Sequence, residues 1–121
     1  MTSDARVERW SENGLDALDS GVQWLPMNTT SVTAAYSMNG KDKVILADAT
    51  AAPFTVTLPN AGLRRNQQPL TVKRTNSGGN AVTVGSAGGT IDGASTVSLV
   101  AQYATRQFVS DGTNWHIIAS S

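Results

Sequence analysis

The sequence predicts an all-β fold, and three observations predict it. From Val32 onward apolar side chains alternate with hydroxyl-bearing or charged ones at period two. Gly, Asn and Pro breakers punctuate these runs, at the roughly ten-residue spacing of short strands joined by turns. No stretch beyond Val32 repeats apolar residues convincingly at helical spacing. The pattern fits a small antiparallel β-sandwich or β-prism-like module.

Residues 1–31 read differently. Ser3 is a candidate helix cap, and Val7, Trp10, Leu18 and Val22 sit loosely at helical spacing, but Asn13-Gly14 and Ser20-Gly21 interrupt them. The segment is therefore expected to be an extended or partly helical tail, its one helix candidate spanning residues 4–12. Trp10, Leu18, Trp24, Leu25 and Pro26 are bulky for a free tail, which points to docking on a partner. The chain divides on this reading into an attachment segment, residues 1–31, and a β-module, residues 32–121.

Within the module Val44-Ile45-Leu46 reads as a buried strand. Phe54, Val56 and Leu58 alternate with Thr55 and Thr57; Leu70 and Val72 with Thr71 and Lys73; Val82 and Val84 flank Thr83; Val97 and Leu99 flank Ser98. Asn39-Gly40, Ser77-Gly78-Gly79-Asn80, Gly88-Gly89 and Asp111-Gly112 supply turns, because Gly and Asn tolerate positive φ. The last strand follows the Asp111–Asn114 tetrad, with Trp115 and Ile117 on one face and His116 and Ile118 on the other. Trp115, Ile117, Phe54 and Leu58 are the expected structural core.

The blocks Val44 to Asp48 (VILAD), Thr55 to Pro59 (TVTLP), Leu70 to Lys73 (LTVK), Thr90 to Gly93 (TIDG) and Ser110 to Trp115 (SDGTNW) follow an aromatic, Tyr36, in that order. In this arrangement the chain resembles, over residues 32–120, a C-terminal module of bacteriophage tail-fibre and virion-surface proteins. The resemblance implies a non-enzymatic virion component whose β-module is intertwined or packed as a homotrimer. It further implies assembly in the host cytoplasm and residence on the particle surface. Its partners would be further copies of itself, another virion protein reached through residues 1–31, and a host surface polysaccharide. The module fills almost the whole sequence, with no long shaft, collagen-like repeat or extended β-helix before it, so a short tail or baseplate fibre is expected. A capsid decoration protein or head fibre stapled by its N-terminus is the alternative. A glycan-degrading tailspike fragment has less behind it, lacking both length and acids.

Composition agrees with burial between subunits. Of 48 apolar residues 15 are Ala, and only 33 larger apolar side chains serve 121 residues. Such a chain buries a thin core by itself. A net charge of zero argues against a general nucleic-acid binder, which needs a basic surface. The charge is uneven: residues 1–30 hold five acids and two bases, and residues 31–121 four acids and seven bases. There is no cysteine, no apolar run long enough to span a bilayer, and no signal-peptide pattern at the start.

Catalytic chemistry finds little to use. His116 is the only histidine, and Ser110, Asp111 and His116 have the residue types of a hydrolase triad. They share one tight hairpin, where nucleophile, base and orienting acid cannot line up. Asp48, Asp92 and Asp111 fall at strand ends and turns, where Asp accepts backbone N–H bonds, rather than as a glycosidase pair. One His, no Cys and no acidic cluster give no metal site, and the glycine-rich GSAGGTIDG lacks a phosphate-binding lysine. No catalytic residue, metal or cofactor is expected. Arg64, Arg65, Asn66 and Gln67 are a candidate surface-glycan contact, since Arg forks and planar amides are usual polar partners of sugars, and Lys73 and Arg74 would extend it into a basic patch.

Overall fold

The computed structural model describes residues 28–39, 41–65 and 67–121. These are all-β. The strands are β1 (Thr29–Val32), β2 (Tyr36–Ser37), β3 (Val44–Ala47), β4 (Phe54–Leu58), β5 (Leu70–Arg74), β6 (Val82–Ser86), β7 (Thr96–Leu99), β8 (Thr105–Ser110) and β9 (Trp115–Ser120), with a single 3-10 turn at Ala61–Leu63 among the described residues. They form a five-stranded sheet in the order β9-β8-β5-β3-β1 and a four-stranded sheet in the order β2-β4-β6-β7.

The sheets are mixed, which corrects the antiparallel expectation. β1, β3 and β5 run parallel in one sheet, and β2, β4 and β6 run parallel in the other. The chain crosses between sheets after each of these strands except β6, winding around a shared interior. Parallel neighbours need a crossover connection, and here each crossover contains a strand of the opposite sheet. Only then does the chain reverse, with β7 antiparallel to β6, β8 to β5 and β9 to β8. Period-two alternation reports which face is buried and carries nothing about the direction of a neighbour.

Winding in register aligns residues in rows across the sheets. Thr30, Ile45 and Val72 are neighbours across three strands, as are Tyr36, Val56, Val84 and Val97 across the other sheet. Inward residues of both sheets, including Ile45, Val56, Leu58, Leu70, Val72, Val82, Val84, Leu99, Phe108 and Trp115, form one core, with Phe54 and Ile117 partly buried against it. Leu58 and Trp115 thus lie at the centre, and Phe54 and Ile117 at its margin.

Two further differences from the sequence reading concern boundaries and charge. Thr29–Ser31 belong to the sheet, because β1 pairs residue for residue with Val44–Ala47, so the module begins before Val32. Arg74, expected at the surface, is 1 % exposed. Its phase explains this: it follows Leu70 and Val72 on the inward face of β5. Its guanidinium donates to Asn76 Oδ1, to the Val100 carbonyl and to the Gly78 carbonyl, at 2.6 Å for the last.

The loops are tied down by side chains rather than by hairpin turns. Asn76 accepts from the Ala49 amide, and Asn80 donates to the Ala49 and Thr50 carbonyls, which holds the 76–80 loop on the β3–β4 connection. At Gly89 the chain has φ +88° and runs so close to the C-terminal hairpin that a Cβ would stand 2.3 Å from the Thr113 carbonyl oxygen. Only glycine fits that crossing.

Candidate functional site

The C-terminal hairpin carries the sole histidine and one acid, Asp111, and a second acid, Asp92, packs beside it. Asp111 closes the turn by accepting from the Thr113 and Asn114 amides, both at 2.8 Å. Its other oxygen lies 2.8 Å from His116 Nε2. On the far side of the ring, His116 Nδ1 lies 3.7 Å from Asp92 Oδ1. Asp92 occupies the left-handed region, φ 48°, in the turn before β7, donates its amide to the Trp115 carbonyl and accepts from the Ile117 amide. His116 therefore braces two turns. The Asn114 amide, the His116 side chain and the Thr113 amide together hold the Asp111 carboxyl well below the usual carboxylate range.

The hydroxyl of Ser110 is engaged elsewhere. It donates to the Ala61 carbonyl and accepts from the Gly112 amide at 2.9 Å. An acid–imidazole pair is present, but the serine is fixed to the 3-10 turn. Asp48 accepts from the amide and hydroxyl of Thr50, which lowers its pKa and makes it a turn cap. Among the described residues no three His, Cys, Asp or Glu side chains are placed to hold a metal ion. No helix described there is long and apolar enough to cross a membrane.

The candidate glycan contact is split by the fold. Asn60 caps the 3-10 turn by accepting from Gly62, Arg64 donates its amide to Ala61, and Arg65 bridges to Ser110 at the end of β8. Arg65 and Gln67 are exposed, whereas Arg64 is only 6 % exposed. Asn66 lies outside the described residues, as do Trp10, Leu18, Trp24, Leu25, Pro26 and the helix expected over residues 4–12. The basic patch is likewise dispersed: Arg74 is internal, and Lys73 Nζ sits over the Tyr103 ring, 5.3 Å from its centre.

Two features escaped the sequence reading. A shallow depression of about 290 Å³ is lined by Thr71, Thr105, Gln107, Ala119, Ser120 and Ser121, a hydroxyl- and amide-bearing surface beside the β8–β9 pair. Only the outward phase of Thr71 and Gln107 hinted at it. The second is Asp42, 4 % exposed, which accepts from Tyr36 Oη at 2.7 Å, the Asn39 amide at 3.0 Å and Thr30 Oγ1 at 3.1 Å. Burial pushes its pKa up, but the Asn39 amide and the Tyr36 and Thr30 hydroxyls outweigh it and leave a net lowering.

The pH dependence of stability follows from these carboxylates. A folded-state pKa below the unfolded value of 3.8 means that the unfolded chain binds more protons between the two. Stability is then full above that value and lost as pH falls through the folded pKa. Unfolding followed by circular dichroism is expected to show a flat stability profile from neutrality down to about pH 4 and a fall below it. Asp42→Asn is expected to flatten that acid limb, and an unchanged limb would remove Asp42 from the account.

Comparison of the chain with protein-family models and with curated proteins gives no match.

Proposed function

We propose that the chain is a structural protein of a bacteriophage particle, a short homotrimeric tail or baseplate fibre. Its N-terminal segment attaches it, and its β-module faces the host surface. The observation that carries this reading is where the tail-fibre-like blocks fall. VILAD is β3 and its capping Asp48, TVTLP is β4 and Pro59, LTVK opens β5, TIDG is the turn braced by Asp92, and SDGTNW joins β8 to β9. Pro59 and Trp115, from blocks far apart in sequence, meet through a 2.9 Å hydrogen bond. The blocks thus fall within one folded unit, which supports reading them together.

Oligomerisation is supported by large apolar side chains on the outside. Leu63, Val100, Tyr103 and Ile118 are 53–78 % exposed, separate apolar side chains that contacts with further copies would cover. A role without catalysis is supported by the engagement of Ser110 with Ala61 and by the use of Asp48, Asp92 and Asp111 in turns. Arg65 and Gln67, exposed beside the β8–β9 turn, remain the side chains offered to a host polysaccharide.

Deletion of residues 1–27 tests the assignment. The remaining chain is expected to sediment at three times the monomer mass and to be missing from purified particles. A folded monomer at micromolar concentration, or undiminished incorporation, would overturn it. A map of the intact particle separates tail from shell: density on the capsid would make this a decoration protein.

A further inference from the structure

Tyr103 is held against its backbone preference. Its φ of 66° lies in the left-handed region, where a bulky residue other than glycine is an outlier. It is fastened on both sides: its amide donates to the Arg74 carbonyl at 2.8 Å, and its carbonyl accepts from Thr105 Oγ1 at 3.0 Å. The segment before it is tied by the Arg74 guanidinium to the Val100 carbonyl and by the Gln102 side chain to the Thr75 carbonyl. Strain of this kind persists only where the surroundings over-determine it, and it clusters at ligand-binding sites. Yet the residue so firmly placed is no part of the core. Tyr103 is 57 % exposed, with Lys73 Nζ 5.3 Å from the ring centre.

The ring stands beside the depression on the outer face of the five-stranded sheet. Lys73 and Thr105 are cross-strand partners, as are Thr71 and Gln107 one step along the same outward face. Thr71, Thr105 and Gln107 line the depression with Ala119, Ser120 and Ser121. Its volume of about 290 Å³ is close to the lower bound for small-ligand pockets. The hydroxyls and the Gln107 amide each supply a donor and an acceptor, and the ring supplies an apolar plane. An apolar plane beside hydroxyl and amide partners complements a pyranose, which has an apolar ring face and a rim of hydroxyls.

The charge of this surface is positive. Arg106 Nη1 is spent on the Thr105 and Ser121 carbonyls, which leaves Lys73 as the cation beside the ring. Of the four described acids none lines it: Asp92 and Asp111 lie at the other end of β8–β9, Asp42 is buried, and Asp48 is turned to Thr50. A nucleic-acid strand would need a run of cations and successive aromatic rings, and one of each is here. An added peptide strand would need a regular edge, and the edge strand β9 is bulged between Ile117 and Ala119.

We propose that this surface binds a carboxylate-bearing saccharide. A sugar ring stacks on Tyr103, its carboxylate meets Lys73, and its hydroxyls bond to Thr71 and Gln107. The site lies at the opposite end of β8 from Arg65, and it stands on this geometry whether or not the chain belongs to a particle. Leu63, Val100 and Ile118 are left for contacts between copies.

The test probes the full chain on an array of neutral, hexuronate-bearing and sialylated glycans, and titrates the best-bound glycan by calorimetry. The bound glycans are expected to carry a carboxylate. Tyr103→Gly weakens binding by about tenfold, the loss of one stacking contact, without lowering the thermal midpoint, because glycine adopts the left-handed backbone freely. Lys73→Gln brings the acidic glycan down to the affinity of its neutral counterpart, and Arg65→Ala changes nothing. If Tyr103→Gly unfolds, Lys73→Gln and Gln107→Ala on the outward face carry the test. Failure to bind any carboxylate-bearing glycan would overturn the proposal, as would retention of a peptide or RNA in their place. Binding that survives Tyr103→Gly but is lost in Arg65→Ala would also overturn it, and would put the saccharide at the β8–β9 turn.

Discussion

Trp115→Ala is expected to lower the unfolding free energy by about 3–5 kcal/mol, the range for deleting a fully buried aromatic side chain. The indole is 1 % exposed and closes the core where the C-terminal hairpin meets two other segments, at Pro59 and at Thr90–Asp92. Its Nε1 donates to the Pro59 carbonyl at 2.9 Å, its backbone amide to the Thr90 carbonyl at 2.7 Å, and its own carbonyl accepts from Asp92. Truncation leaves a cavity and also strips the Pro59 oxygen of its donor. Trp115→Phe refills most of the volume and is expected to lose only about 1–2 kcal/mol, chiefly the hydrogen bond. Urea denaturation measures both, and equal stability of the Ala variant and the parent would place the ring outside the core.

Arg74→Ala is expected to be comparably severe, about 3–5 kcal/mol, because buried acceptors left without a donor cost about 1–3 kcal/mol each. Its guanidinium serves three acceptors: the Val100 and Gly78 carbonyls, and Asn76 Oδ1, which also accepts from the Ala49 amide. They belong to two loops, so the guanidinium fastens the β5–β6 connection to the segment after β7. The expected order of thermal midpoints is Arg, then Lys, then Met and Ala together, since Lys retains charge and one donor while Met retains only the apolar stem. A Met variant as stable as the parent would make Arg74 a packing residue and nothing more.

The strands were legible in the sequence where alternation was clean. Phe54–Leu58, Leu70–Arg74 and Val82–Ser86 have the inward faces that period two predicts. The same phase places Arg74 inward and Lys73 outward, so the burial of Arg74 was written in the pattern, although its positive charge suggested a surface. Arg64 gave no comparable signal, because it lies in an aperiodic turn and is buried by tertiary packing alone. Asp42 was equally hidden, its three donors coming from β1, β2 and the Asn39 turn. The pairing of His116 with Asp111 was visible as proximity in one hairpin, whereas Asp92 joins them only because Ile91 bridges to Trp115.

The winding of the chain between two sheets also governs how it is made. Thr29 pairs with Val44, Val44 with Thr71, and Leu70 with Phe108, separations of 15, 27 and 38 residues. Loops of that size must close before the contacts they bring can stabilise anything, which places the module among slow folders, on the order of milliseconds to seconds. The tight β8–β9 hairpin is the local exception, with Ser110 opposite Trp115. During synthesis β5 emerges with its far edge unpaired, and thirty residues lie between Arg74 and Thr105, where its partner β8 begins. For that interval the nascent sheet displays an open edge, a template on which another emerging copy competes with the chain's own β8.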